Sequence, residues 1–387
     1  MKAFARQYDA LFKQPWPVWP AAILIALTNV FLFAFDRPFT AADGMRNWGD
    51  WILVGAGVVN FGELLPPWLY AGSLLNLGVL AGALAAALLS REFALRIPPR
   101  AEMLKGALGG AMLGTGAMFA LGCNIGGFFS AVSALSLAGL VMMVGLIGGA
   151  FLGLAYLMWE VEHRPAWSSG RARVFFGVSA DTSSRQPLVG ILVLVAIVLL
   201  PWFYTHAGFS PRGLYLLFGA AFGVIFQRSR FCLVRAFREP FMTGDAEHTR
   251  AAALAVVISM LGFTLLKLND LKDRTDWVFP AAGAGALIGG VVFGIGMVIA
   301  GGCGSGAMWR VGEGQVKLWL AVVTFGLGAS LTRLFLTQAG LQQKLGIALF
   351  LPSTFGWAGA VIVVVVVMAA WAALATWNEQ SGRFSAF

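Results

Sequence analysis

The residues best placed to do chemistry in this 387-residue chain are its three cysteines, Cys123, Cys232 and Cys303. Two of them stand in copies of one motif. Residues 109–126 read GGAMLGTGAMFALGCNIG and residues 289–306 read GGVVFGIGMVIAGGCGSG, a constant offset of 180 positions that needs no gap. Gly109/Gly289, Gly110/Gly290, Gly114/Gly294, Gly116/Gly296, Ala120/Ala300, Gly122/Gly302, Cys123/Cys303 and Gly126/Gly306 coincide. A thiol is a weak S–H donor with a soft acceptor sulfur, and burial away from charge keeps it in that neutral form. Cys123 and Cys303 therefore suit reversible hydrogen bonding to a soft anion better than covalent attack. Cys232 has a different setting, FGVIFQRSRFCLVRAFREPFMTGD (222–245), with Arg228, Arg230, Arg235 and Arg238 around it. Such surroundings attract anions and favour a thiolate. The bland alternative is a buried apolar Cys beside an ordinary basic membrane boundary. Three cysteines are too few, and too odd in number, for a disulfide framework.

The elements that must position these thiols are glycine-rich apolar runs. GxxxG pairs such as Gly110/Gly114 and Gly290/Gly294 let helix backbones approach closely in lipid, and most such glycines serve packing alone. Gly122 and Gly302, which touch the cysteines, mark places where a helix breaks. Broken backbone at membrane depth is tolerated only when it is buried in protein or lines a cavity. A short helix starting there turns unpaired N–H groups toward any anion. GCN and GCG read as an anion cradle with a thiol attached. Asn124, Ser305, Arg310, Glu313 and Gln315 flank the thiols as candidate solute contacts, and Arg235 is the candidate at Cys232. Glu239 and Glu313 read as boundary ion pairs with nearby arginines rather than proton-coupling groups.

Composition fixes the class. Hydrophobic residues make up 59% and charged residues 12% of the chain, about half the charged share of a soluble domain. Runs free of Asp, Glu, Lys and Arg occur at 16–35, 64–90, 106–159, 186–211, 213–227, 251–266, 277–309, 318–332 and 345–378. The 106–159 run would extend about 80 Å as one helix, so it must turn back, and the turn falls just after Cys123. The expectation is an all-α polytopic membrane protein with about ten transmembrane helices plus short broken helices. It forms one transport domain over 1–387, with pseudo-repeat halves roughly 64–160 and 213–340 and a cytoplasmic linker at 161–187. Basic segments at 2–13, 91–105, 160–185 and 228–250 go to the cytoplasm by the positive-inside tendency, placing both termini inside. The 36–50 and 269–276 loops then lie outside. The two cysteine motifs approach the membrane centre from opposite sides, as in inverted-repeat transporters. The net charge of +9 belongs to these loops and not to a nucleic-acid surface. A weak alignment of Gly78/Gly82 with Gly219/Gly223 puts Arg91 at the position of Cys232. No CxxC, no P-loop and no metal-ligand spacing among His163, His206 and His248 is present, so no cofactor is expected.

The stretches QRSRFCLVRAFREPFMTGD, GCNIGGFFSAVSALSLAG and AGGCGSGAMWRVGEGQV resemble the YeeE/YedE family of bacterial inner-membrane proteins, over roughly 70–350 and closest to the YedE branch. The resemblance implies sulfur transport, with thiosulfate uptake the best-understood activity and selenium linked to the YedE branch. It also implies inverted halves around a constriction lined by cysteines, with Cys123 and Cys303 there and Cys232 along the route. A small cytoplasmic sulfur-carrier protein is the implied partner. The chain departs from the pattern in lacking a first-half counterpart of Cys232. Two other readings stay open: a persulfide-forming thiol carrier with Cys232 as nucleophile, and a membrane scaffold that docks a sulfur carrier through its basic loops.

Overall fold

A computed structural model describes residues 8–168, 170–176 and 180–385, so the expected 2–13 and 161–187 segments lie partly, and both termini wholly, outside the described residues. The chain is helical almost throughout, apart from an antiparallel pair of three-residue strands, β1 (Leu95–Ile97) and β2 (Arg173–Phe175). Among the described residues, ten helical stretches are long and apolar enough to cross a membrane. The protein is an all-α polytopic membrane protein.

The helices that matter for the site are, in order, α1 (Val18–Phe35), α2 (Ala42–Gly55), α3 (Ala71–Leu89) and α4 (Arg100–Phe119). A π-helical turn, Asn124–Ser130, runs into Ala131–Ser133 as α5, followed by α6 (Leu137–His163) and α7 (Ala180–His206). Then come α8 (Ser210–Ser229), α9 (Leu233–Met242), α10 (Glu247–Leu268), α11 (Ala284–Ala300), α12 (Gly304–Gly312), α13 (Val316–Gln338) and α14 (Leu351–Ser381). The long 106–159 run does turn back around Cys123: α4 ends at Phe119, and between it and α6 the helix is broken twice, at Leu121 (φ 58°) before Cys123 and at Leu135 (φ 62°) after α5. The equivalent break after α11 uses Gly301 at φ 76°, where a glycine meets no Cβ penalty. Residues 36–50, read from their charges as an outer loop, instead enter α2. Its Asp50 is fully buried and paired with Arg46 at 2.6 Å. The charges face each other inside the protein, so they gave a loop-like signal without a loop.

Small residues hold the bundle together. A methyl group on Gly109 would lie 2.8 Å from the Gly296 carbonyl oxygen, and one on Gly116 would lie 2.6 Å from that of Gly289. Across the 180-position offset, each glycine thus meets the counterpart of the other, which requires α4 and α11 to run antiparallel where they touch. The same reciprocity recurs outward: Gly290 and Gly294 of α11 pack on Gly145 and Gly149 of α6, while Gly110 and Gly114 of α4 pack on α13 at Ala321 and at Phe325 and Ala329. Gly78 and Gly219 behave differently. They are contact partners, with a methyl on Gly78 falling 2.9 Å from the Gly219 Cα. Their contacts advance together along both helices, Gly219 against Leu75 and Gly223 against Val79, so α3 and α8 run parallel, which contacting equivalents of inverted halves do not, and the alignment that placed Arg91 opposite Cys232 fails.

Candidate functional site: thiols at the N-termini of short helices

Each cysteine is the N-cap of a short helix: Cys123 of the π-helical segment Asn124–Ser130 that leads into α5, Cys232 of α9 and Cys303 of α12. Ser, Thr, Asp or Asn normally fill this position because their side-chain oxygen accepts a first-turn N–H, worth about 1 kcal/mol. Three cysteines there leave the helix starts with weaker acceptors. Only Cys303 acts as a cap, its sulfur accepting from the Gly306 amide at 3.3 Å. A fourth short helix, α2, begins beside them with Ala41 as N-cap.

These starts converge. A methyl on Gly304 would lie 3.5 Å from both the Cys123 sulfur and the Ala41 Cβ; one on Gly306 would lie 3.0 Å from the Cys303 sulfur and 3.6 Å from that of Cys232. The first turn of α12 is therefore the common neighbour of all three thiols, and its glycines leave room for them. The Cys232 and Cys303 side chains face each other. Ser305 Oγ is 3.7 Å from the Cys303 sulfur, and Thr40 Oγ1 is 3.7 Å from that of Cys123. All three thiols are free and buried, none more than 3% exposed. Asn124 faces Cys303, is wholly buried, and has neither its amide nitrogen nor its oxygen hydrogen-bonded. Leaving buried polar atoms unpaired costs about 1–3 kcal/mol each, and a transient solute would relieve that cost.

Of the residues singled out in sequence, Cys123, Cys232, Cys303, Asn124 and Ser305 come together. Gly122 and Gly302 support them from behind: a methyl on Gly122 would strike the Gly127 amide nitrogen at 2.6 Å, and one on Gly302 would press on Leu318 at 3.1 Å. Arg235 lies in the first turn of α9 with loose ionic contacts of 3.8 Å to Glu239 and 3.9 Å to Asp245. Glu239 and Glu313 form the expected ion pairs, with Arg238 at 2.6 Å and with Arg230 respectively. Arg230 also reaches Glu92 at 3.0 Å, and Arg228 reaches it at 3.2 Å. Burial pushes the Glu313 carboxyl above its usual range despite Arg230. Arg230 and Arg310 sit over the ring of Trp309, at 5.3 and 5.1 Å.

Sequence reasoning missed Thr40, Ala41 and His248. The first two carry no signal of their own, being ordinary residues at the start of a helix that was taken for a loop. His248 has no metal-ligand spacing to mark it, yet it is 3% exposed near the start of α10. The 228–250 segment, read as a basic loop, folds back into the protein through α9, with Arg228 at the end of α8, Glu239 in α9 and His248 in the first turn of α10 all buried.

Comparison with known proteins shows the family. The family model described as sulphur transport matches residues 2–152 and 228–385. A protein named probable transporter YedE from Salmonella typhimurium is 30% identical over 326 residues, 80% of each chain. The protein of the same name from Escherichia coli is 29% identical over the same length. A thiosulfate transporter, TsuA, of Spirochaeta thermophila is 41% identical over 118 residues, 30% of this chain and 35% of that one.

Proposed function

This chain belongs to the sulphur-transport family, and from that premise we propose that it carries thiosulfate, intact, through the three-thiol centre. The observation that carries the reading is the convergence of Cys123, Cys232 and Cys303 on the first turn of α12, each at the start of a short helix. A dianion needs compensation throughout its passage, but a fixed cation at the narrowest point would trap it. Helix N-termini and thiols supply weak, replaceable donors instead. The terminal sulfur of thiosulfate passes from one S–H to the next, while Asn124 and the exposed first-turn amides hold the oxygens. No bond to the solute is made or broken. The name of the relatives called thiosulfate transporters supports this solute over selenium compounds.

The reciprocal glycine contacts support two inverted halves. The pairing extends at a constant offset of seven helices: α1 with α8, α2 with α9, α3 with α10, α4 with α11, α5 with α12, α6 with α13 and α7 with α14, α7 packing on α3 as α14 packs on α10. On this assignment Ala41, next to Thr40, is the first-half counterpart of Cys232. The basic segments support a cytoplasmic side for the 228–250 end in a bacterial inner membrane, where a sulfur-carrier protein would receive the solute.

Uptake of labelled thiosulfate into proteoliposomes tests the reading. Wild-type protein should accumulate label, and Cys303→Ala and Cys123→Ala should each accumulate markedly less, Cys303→Ala the least. Wild-type rates in both variants would sink the thiol path; a correctly folded wild type without uptake would move the solute to another sulfur species.

A further inference from the structure

We propose that His248, together with the N-terminus of α9, forms a second anion station beside Cys232, which holds the oxygen-bearing end of the solute on the arginine-rich side of the thiol pair. The inference rests on the thiosulfate reading above and adds a residue to it. His248 is 3% exposed, and neither ring nitrogen has a hydrogen-bond partner. An imidazole always carries at least one N–H donor, so a buried one without a partner is held at a cost. Thr249, the next residue, already supplies the polar tie to α9, its hydroxyl donating to the Ala236 carbonyl at 2.6 Å.

The ring is directed at the chain around Cys232. It faces the Arg230 backbone carbonyl without closing a hydrogen bond, and its centroid lies 6.5 Å from that of Phe231. The groups that act on it electrostatically are Arg235, Cys232 and Asp245. Cys232 caps α9 without accepting a hydrogen bond, so the first-turn amides, with those of Val234 and Arg235 facing its sulfur, stay available. Arg235 lies in the same turn, and its nearest carboxylates are 3.8 and 3.9 Å away, too far for close pairs. A free imidazole, free helix amides and a loosely held guanidinium thus surround one thiol. That set matches a sulfonate-like group whose sulfur end is still held at Cys232 and Cys303. It matches less well a plain hydrosulfide, which has no oxygens to occupy it.

The test compares wild type, His248→Leu and His248→Gln in proteoliposomes, using labelled thiosulfate over a concentration range. His248→Leu should raise KM about tenfold, the effect of one lost hydrogen bond to a charged group, with the maximal rate within about threefold of wild type. His248→Gln keeps a donor and should recover most of the affinity. A structural role would instead lower the amount of folded protein and the maximal rate, with KM unchanged, and that result would overturn the proposal. Should His248→Leu not fold, His248→Asn stands in. Its shorter side chain should give a higher KM than His248→Gln, and equal values would count against the station. If wild type takes up thiosulfate, Cys303→Ala does not, and all His248 variants keep the wild-type KM, the histidine inference alone fails. If wild type takes up none, it fails together with the thiosulfate reading.

Discussion

The glycine-faced helices around the centre and the helix starts at the centre follow different rules. In the surrounding shell, contacts come in matched pairs: Gly109 with Gly296 and Gly116 with Gly289, Gly145 with Gly290 and Gly149 with Gly294. At the centre the match breaks. Cys303 faces a second thiol, Cys232, and accepts the Gly306 amide, whereas Cys123 has the Thr40 hydroxyl for a neighbour and shares the space at Gly304 with the Ala41 methyl. Packing in lipid depends only on shape, so both halves keep the same small residues. A site that moves a solute in one direction has no such reason to be equal on its two sides. One side here holds two thiols and an arginine–glutamate network, and the other holds one thiol and a hydroxyl.

The largest effect that follows from this contrast separates the two repeated cysteines. Cys303 has the Gly306 amide, Ser305 and Cys232 around its sulfur, while Cys123 has Thr40. Losing two polar contacts at about 1 kcal/mol each lowers uptake about thirtyfold. Cys303→Ala should therefore fall at least that far, and Cys123→Ala should fall less. Equal losses measured in proteoliposomes would mean that the asymmetry has no functional content.

A smaller effect separates shell from centre by adding one methyl group to each. Gly306→Ala puts that methyl 3.0 Å from the Cys303 sulfur and 3.6 Å from that of Cys232. Those sulfurs can give way slightly, so the fold should survive with thermal stability near wild type, while uptake drops about tenfold as the shared space between the thiols fills. Gly116→Ala instead drives a methyl to 2.6 Å from the Gly289 carbonyl oxygen and the Phe293 amide nitrogen. Backbone cannot yield cheaply, and overpacking of this kind costs about 1–3 kcal/mol. That variant should melt earlier and show an unchanged KM for whatever protein remains folded. Exchange of the two phenotypes would remove the distinction between shell and centre.

What the sequence showed depended on whether a feature leaves a periodic or compositional mark. The turn after Cys123 was legible because an uncharged run of that length cannot be one span, and the α4–α11 relation because the glycines repeat at a fixed offset. The ion pairs of Glu239 and Glu313 were legible from their neighbouring arginines. Helix α2 was hidden because Asp43, Arg46 and Asp50 looked like a solvated loop, although Asp43 pairs with Arg37 and Asp50 with Arg46. Gly78 and Gly219 misled for the opposite reason: two faces of one interface share a composition without being equivalent. His248 left no trace, since an unpaired buried imidazole is a property of packing and not of spacing.

The smallest effects bear on Thr40 and Ala41, where the first half lacks its second thiol. Thr40→Val keeps the shape and removes the hydroxyl 3.7 Å from the Cys123 sulfur. A contact to sulfur at that length is weak, so uptake should fall only about twofold to threefold, less than the full loss of an ordinary hydrogen bond. Ala41→Cys tests the same place from the other direction. It adds a thiol close to Cys123 and Gly304, in the position that Cys232 holds on the other side. If transport needs only a chain of thiols, the fourth should leave KM unchanged or slightly lower and keep the rate within about twofold. If the centre works because one side holds the solute more firmly than the other, equalising them deepens the first resting place and slows release. The maximal rate then falls as KM falls. A parallel decrease of both in Ala41→Cys, set against a rise in KM for Thr40→Val, would establish the unequal thiol count as the feature that gives the path its slope.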